Sequence, residues 1–517
     1  MKRRFLPVFA LALFAVSSTY AQTPNDAYIF AARSPATGPR MMGMAGVGIA
    51  GVADYGALRT NPAGLGYFSN SEIGGSLHTL SATEDAQYFT GIRTSSAAEA
   101  DVRATRLSNL AYIQKLPTSQ GSFVLGLAFN QINTFDRNLV FGGTNATSSI
   151  STSFLPYADE FTVEEDANGP FPSFFSDIPE LAYDGGAIEF LFENVGTNNG
   201  LFYEAVAPGT RVDQLGDVLE KGRINELNLG GAWEASQDVM IGISANFAFG
   251  SYNFESIYEE ADAYNENTPE DYEVALSDGS LFGFNRLLYE EGFESDLSGF
   301  NVRGGVSTTT LASGLRVGAV LETPTFYEVR ENFYRELTTW FDEGGSLDAN
   351  THGDYEYELR TPWRIGAGAS WEIGGFLLAG DLEYVDWSQM EFDGDASDDN
   401  LFRDLNREIR DTMDPVWNMR IGGAYEFGNF TVRGGVATYP DPFDRNVSRG
   451  GDEADRDRRF VSAGVSYRFA QNFYLDAGWT RMKFDDEYTP YADVDEPPLV
   501  EESVTQNRFL LGVRIGF

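Results

Sequence analysis

The sequence predicts an all-β protein, a 14-stranded antiparallel transmembrane β-barrel with an N-terminal hatch, or plug, inside its lumen. Three observations carry that prediction. An export signal heads the chain, yet no later run approaches the ~20 apolar residues that a membrane helix needs. From residue 71 onward, apolar and polar residues alternate in segments that come in pairs, with six tight turns set between long connections. The last stretch, Ser503 to Phe517, places Phe509, Leu511, Val513, Ile515 and Phe517 on one face and Gln506, Arg508, Gly512, Arg514 and Gly516 on the other, with Leu510 as the one apolar intruder. Side chains of a strand alternate between its two faces. An oily face backed by arginines and glycines suits a wall with lipid outside and a polar lumen inside.

Residues 1–21 read as a signal peptide. Lys2, Arg3 and Arg4 form its positive start, Phe5 to Val16 its apolar stretch, and Ser17 to Ala21 supply small residues for cleavage. A bilayer admits only helices and closed barrels, so the exported chain is either a soluble fold or a barrel. Residues 22–70 do not alternate. They are rich in Gly, Ala and Met, too apolar for a disordered tail and too irregular for a wall strand, and they read as the plug. Gly46-x-Gly48-x-x-Gly51 has the spacing of a dinucleotide fingerprint. That motif needs a preceding strand in a βαβ unit. Here it comes after the signal, and nucleotide binding is not expected.

Residues 71–517 read as the barrel. Alternation marks strands near 71–81, 105–116, 121–134, 222–235, 237–252, 296–311, 313–333, 352–374, 375–393, 415–428, 429–440, 457–470, 471–485 and 503–517. Tight turns fall at 117–120, 236, 312–314, 374–375, 428–429 and 470–471. An even strand number with short turns at one end and long loops at the other is the outer-membrane arrangement. The long connections are acidic and aromatic, and 135–221 is the longest. A short helix is expected near Asp177. Another is expected over 399–413, where Leu401, Leu405 and Ile409 recur at helical spacing. Phe171, Phe174, Phe175, Tyr183, Phe202 and Tyr203 read either as a greasy capture surface or as loop core.

Composition removes several classes. A net charge of −41 argues against nucleic acid as partner. With no cysteine there are neither disulfides nor thiolate metal sites. The only histidines, His78 and His352, have no Ser-His-acid pattern around them. The chain is therefore read as no enzyme, the enzymatic alternative being a phospholipase with one of these histidines beside a serine. Asp393-x-Asp395-x-Ser397 opens like a calcium loop, but Asp398 and Asp404 stand where that loop needs Gly and Glu. No metal and no cofactor are expected.

Alternation also assigns faces. Trp417, Met419, Ile421, Tyr425 and Phe427 would face lipid. Arg303, Arg316, Arg364, Arg420, Arg433, Arg468, Arg508 and Arg514 would face the lumen, with Glu226, Glu234, Glu322, Glu372, Asp381, Glu383, Glu426 and Asp476. An Arg or Lys on the lipid face would cost ~2–4 kcal/mol at the midplane. These charges read first as a salt-bridged network tying barrel to plug. The functional reading is that one or two of the arginines receive a ligand carboxylate on their planar fork. Pro324 and Pro362 each follow a threonine, in adjacent strands and at similar height above the turns. A proline withholds a ladder donor, so the pair marks a candidate notch in the wall, the alternative being a bulge that only shapes the barrel.

Arg40-Met-Met-Gly43-Met-Ala-Gly46-Val-Gly48, followed by Asn61-Pro62-Ala63-Gly64-Leu65, resembles the hatch of the FadL family of outer-membrane transporters. The stretches 315–325, 360–366 and 381–388 resemble barrel segments of its members. The resemblance implies passive uptake of long-chain fatty acids or other hydrophobic compounds such as aromatic hydrocarbons. It implies capture among the outer loops, binding in the lumen, and sideways release as the hatch moves, with Asn61, Pro62 and Ala63 as the gating turn. The family's wall gap goes with a kink in the third strand, where residues 121–129 of this chain offer only Gly126 as an interior softening point. Phe517 resembles the C-terminal aromatic that bacterial barrels present to their insertion machinery. A monomer in contact with outer-membrane lipid is expected. The alternative is a structural or secretion-associated barrel of the same fold without a transport pocket.

Overall fold

The computed structural model describes residues 23–517 apart from 92, 95–97, 167–168, 192–194, 196–200, 268–273, 276–280, 343, 395–398 and 445–453. The signal peptide and much of the calcium-like loop lie outside the described residues. The barrel strands are β1 Glu72–Thr90, β2 Ala98–Leu116, β3 Phe123–Thr134 continued by Arg137–Asn145, β4 Val212–Ser236, β5 Val239–Ala261, β6 Phe284–Ala312, β7 Leu315–Glu322 continued by Phe326–Phe341, β8 Ser346–Arg360 continued by Arg364–Ile373, β9 Phe376–Asp386, β10 Pro415–Phe427, β11 Phe430–Tyr439, β12 Arg458–Ala470, β13 Phe473–Tyr488 and β14 Leu499–Gly516. Neighbours pair antiparallel throughout. The ring closes where β1 meets β14, from Glu72 opposite Gly516 to Phe89 opposite Leu499.

The short turns stand where alternation put them, and the outward residues form the apolar band. Trp417, Met419 and Ile421 are each more than half exposed on β10, and Phe509 and Leu511 likewise on β14. Leu510, the intruder on the inner face, is buried against Ala36, Met41 and Met42. The outer limits need correction. The segments 135–221 and 253–295 are not whole loops, because β3 and β5 run on to Asn145 and Ala261 and β4 and β6 begin at Val212 and Phe284. Above the membrane the outer face meets water, as at Asp85, Glu99, Asp101 and Arg103, while the inner face packs on the loops, where Leu139, Phe141, Val218 and Tyr258 are buried. The pattern of oily outside and polar inside therefore no longer marks the strands, although the ladder continues.

Residues 23–71 pack against the inner faces of the strands. They comprise α1 Pro24–Ala31, α2 Pro39–Met42, α3 Ala57–Thr60 and a 3-10 turn at Pro62–Tyr67. Thr23 caps α1 in a reciprocal box with Asp26. Glycines of the wall let this segment come close. A Cβ on Gly242 would lie 2.3 Å from the Ala63 nitrogen, one on Gly318 2.2 Å from the Ile49 carbonyl oxygen, and one on Gly435 2.5 Å from Met44. Glycines facing the segment in the same way occur on every strand except β2 and β9, forming a collar.

The wall departs from a regular ladder in two places. β2 and β3 pair only between Asn109 opposite Asn130 and Leu116 opposite Phe123. Above that level β2 pairs only with β1, and the continuation of β3 only with β4, among the described residues. The break in β3 falls at Phe135–Asp136, not at Gly126, and Gly126 lies within the paired part against Leu58. The second departure crosses β7, β8 and β9 at one height. There 323–325 and 361–363 leave the ladder, and β9 ends at Asp386 in a turn at Trp387–Gln389.

Candidate functional site

The eight arginines read from the sequence divide into three groups. Four hold the N-terminal segment. Arg303 donates to Leu58 O at 2.8 Å, Arg316 to Gly51 O at 2.6 Å, Arg364 to Ala31 O at 2.8 Å and Arg508 to the Ser34 hydroxyl at 3.1 Å. Arg420 lies 3.6 Å from Glu383 and donates to the Tyr439 hydroxyl. Arg433, Arg468 and Arg514 line a cavity of about 310 Å³ at the periplasmic mouth. There Arg514 pairs with Asp476 at 3.0 Å and Glu72 at 3.2 Å.

Asn61 is fully buried, and its side chain joins plug backbone to wall. Its Nδ2 donates to Ile49 O at 2.7 Å, to Val306 O of β6 at 3.2 Å and to Ala319 O of β7 at 3.4 Å. Its Oδ1 accepts from Ala63 N at 3.0 Å, which caps the turn that Pro62 begins. Gly305 leaves the room, since a Cβ there would stand 2.0 Å from Oδ1.

Arg364 and Arg420 meet three arginines that alternation could not find: Arg33, Arg59 and Arg458. The five line one cavity of about 50 Å³ with Glu322, Glu383, Tyr28, Trp387 and Tyr439. Arg33 pairs with Glu322, which is shared with Arg303. Arg364 and Arg420 share Glu383 at 3.4 and 3.6 Å. Arg59 has no carboxylate at ion-pair distance among the described residues. One of its amino groups donates to Ser34 O, and its Nε is buried without a partner. Burial, with Arg33 close by, pulls the Arg59 guanidinium down to about 10. Burial also works against the Arg33 charge, but Glu322, Glu226 and Tyr327 together more than offset it and raise that guanidinium above its usual range. A buried cation without its counter-ion is costly, so the arrangement has room and charge for an anion. Arg33 and Arg59 escaped sequence reasoning because the N-terminal segment has no period from which to read a face, and Arg458 because it stands at the first residue of its strand.

A second cavity, of about 150 Å³, lies on the other side of the stretch Ala32–Pro35 and reaches Asn133 to Arg137 at the break in β3. The two share Ala32, Arg33, Ser34, Pro35 and Arg458 as lining. Side chains bridge the opening beside this cavity: Arg137 of β3 pairs with Glu84 of β1 at 3.3 Å and with Glu502 of β14, and the Thr90 hydroxyl of β1 donates to Thr144 O of β3 at 3.0 Å. Arg106 of β2 donates to the Thr134 hydroxyl at 3.1 Å and grips Asp136 with both amino groups. His78 is buried next to it, and both its ring nitrogens lack partners.

In the loops, Phe174 packs on both Tyr183 and Phe202 within 5.8 Å, while Phe175 is 68% exposed and Phe171 37%. The aromatic cluster is therefore mostly loop core with two rings left outside. Among the described residues no group of acidic or histidine side chains is placed to hold a metal ion.

The model of the outer membrane protein transport protein family (OMPP1/FadL/TodX) matches residues 326–511. The 47 kDa outer membrane protein of Pasteurella multocida is 28% identical over 137 residues, which cover 24% of this chain and 31% of that protein. Alkane uptake protein A of Marinobacter nauticus is 26% identical over 163 residues, 30% of this chain and 34% of that protein. The chain thus aligns with about a third of the length of these curated relatives. The toluene transporter TodX of P. putida shares the fold over 94% of this chain and 99% of its own, at 13% identity and a TM-score of 0.51. A FadL homologue of Pseudomonas aeruginosa does so over 94% and 99%, at 12% identity and 0.53.

Proposed function

We propose that this chain, a 14-stranded barrel whose residues 326–511 match the OMPP1/FadL/TodX family model, is a member of that family and carries hydrophobic small molecules passively across the outer membrane, and that its ligands bear a carboxylate, as long-chain fatty acids do. The observation that carries the reading is the excess of guanidinium over carboxylate in the cavity around Arg59. The cavity of about 50 Å³ admits a head group and no chain. Ligand pockets usually measure ~300–1,000 Å³. Only if the stretch Ala32–Pro35 shifts do the two cavities join into a space for head and tail.

In this reading residues 22–70 act as the hatch. The collar grips 38–65, so the moving part is the arm formed by α1 and residues 32–37, and Asn61-Pro62-Ala63 anchors the hinge side. Release is lateral, through the unpaired edge between β2 and β3, with Arg106 and Asp136 as its latch. Phe171 and Phe175 offer an exposed aromatic surface where ligand is first caught. The test is titration of the purified barrel with a fluorescent long-chain fatty acid and with a neutral alkane of the same length. Arg59→Gln should weaken fatty-acid binding and leave alkane binding unchanged. Equal effects on both would refute the carboxylate. Binding of neither by the intact protein would turn the assignment to a barrel without a transport pocket.

A further inference from the structure

The β7–β9 irregularity lies opposite the arginine cavity and away from the β2–β3 edge. Its register makes it unusual. β7 and β8 pair Glu322 with Arg364 below and Phe326 with Arg360 above. That register sets Pro324 directly across from Pro362. Neither has an N–H, so this rung has no donor from either strand. The rung above is closed by threonines. Thr361 N donates to Thr325 O at 3.0 Å, and Thr325 N reaches only the Thr361 hydroxyl, at 2.8 Å. Past β8 the wall parts again. The lower half of β8 pairs with β9 as far as Arg364 opposite Val385, and the upper half pairs with 391–393 beyond the turn. Three neighbouring strands are thus interrupted at one level, and β8 changes partner there, from β9 to 391–393.

Each side of this weak line has its own space. On the lipid side is a groove of about 790 Å³, lined by Phe300, Pro324, Phe326 and Trp363. Phe326 is 57% and Trp363 44% exposed, so the groove opens to the bilayer. On the lumen side stands the arginine cavity. Arg33 donates to the Thr325 hydroxyl at 3.1 Å, and Arg364 and Trp387 of that cavity are the residues that border the break in β8 and β9. Thr325 and Thr361 are buried between the two spaces. An anion that engages Arg33 competes with the Thr325 hydroxyl for the same guanidinium. Binding of a head group thereby frees Thr325 from the N-terminal segment and leaves the line held there by the two bonds between Thr325 and Thr361.

We propose that the wall at Thr325 and Thr361 is a lateral port, distinct from the β2–β3 edge, joining the arginine cavity to the outer leaflet. Its cargo is an unbranched acyl carboxylate whose head stays on the arginines while the tail passes between the strands. This rests on the transport reading above. The chain has no cysteine, so Thr325→Cys with Thr361→Cys introduces the only two thiols, on residues facing each other across an antiparallel ladder. Opposed residues there lie ~4.5–5.5 Å apart at Cα, within the range of a disulfide.

Uptake of a labelled long-chain fatty acid is measured in cells lacking their own transporter, before and after reduction. Each single cysteine variant serves as baseline. The port requires that the oxidised double variant lose the greater part of its uptake and regain it on reduction. Equal uptake oxidised and reduced overturns the port and leaves transport through the β2–β3 edge standing. Absence of uptake by the unaltered protein overturns the transport reading and the port with it. If the double variant fails to insert, Pro324→Val with Pro362→Val restores the missing donors without a crosslink. Slower uptake then supports the port, and unchanged uptake overturns it.

Discussion

Asn61 can be tested for which of its two bonding groups matters. Asp and Asn are about equally good helix caps, and both are better than Ala. If the side chain serves only to cap the Pro62 turn through Ala63 N, Asn61→Asp should be silent and Asn61→Ala should cost ~1 kcal/mol. The geometry gives the opposite order. Asp retains the acceptor at 3.0 Å from Ala63 N but turns an oxygen toward the carbonyls of Ile49 and Val306, which now receive a bond at 2.7 and 3.2 Å. Each lost bond is worth ~1 kcal/mol, and a buried group deprived of its partner costs ~1–3 kcal/mol. Loss of the two bonds and a carboxylate with no counter-ion together come to about 4 kcal/mol. The Ala variant loses cap and donors but gains no repulsion, for about 2–3 kcal/mol. Amide hydrogen exchange over residues 44–65 of the purified barrel reads the local opening. The Asp variant should exchange about a thousandfold faster than the intact protein, at 1.4 kcal/mol per tenfold, and faster than the Ala variant. An Asp variant as protected as the intact protein would refute the role of the amide as a tie to β6 and β7.

Gly305→Ala should reproduce much of that exposure with Asn61 untouched, because the new Cβ occupies the place of Oδ1; unchanged exchange would mean the wall gives way there. Asp136→Asn removes the charge that Arg106 grips across the β2–β3 edge. Fatty-acid uptake should quicken if that latch limits release, and an unaltered rate would place the slow step elsewhere. Phe517 stacks on Tyr112 at 6.1 Å and its N–H donates to Ser71 O at 2.9 Å. Phe517→Ala should lower the amount of protein in the outer membrane, measured by heat-modifiable mobility, without lowering uptake per inserted molecule.

The sequence is legible where the two faces of a strand meet different surroundings. Inside the membrane one face meets lipid and the other the lumen, so β10 and β14 could be read residue by residue. Once β3 to β6 rise above the bilayer the outer face turns polar and the inner face packs on loop residues such as Leu181 and Tyr491, so the membrane pattern is lost and their outer halves looked like loop. The helix at Asp399–Thr412 was readable from Leu405 and Ile409, which are both buried. The break in β3 was not readable. It is marked by neither Gly nor Pro but by Phe135 turning into the core and Asp136 turning to Arg106. The arginine cavity was half legible. Its wall residues Arg364 and Arg420 follow from alternation, but Arg33 and Arg59 come from a segment shaped by contact with the wall and not by its own period.

The glycine collar bears on how the molecule is put together. At that level the wall offers backbone where other barrels offer side chains, and the segment that fills the space touches β14 as well as β1. β14 is the last strand synthesised and the one that completes the ring. Residues 23–71 are made first yet have no finished surface to rest on until the end. The bore fits them closely on every strand but β2 and β9, which disfavours threading them into a ring already closed. The fit favours a ring that closes as its wall wraps about the segment. A chain deprived of it would give a water-filled pore at the collar, where backbone of nearly every strand stands bare.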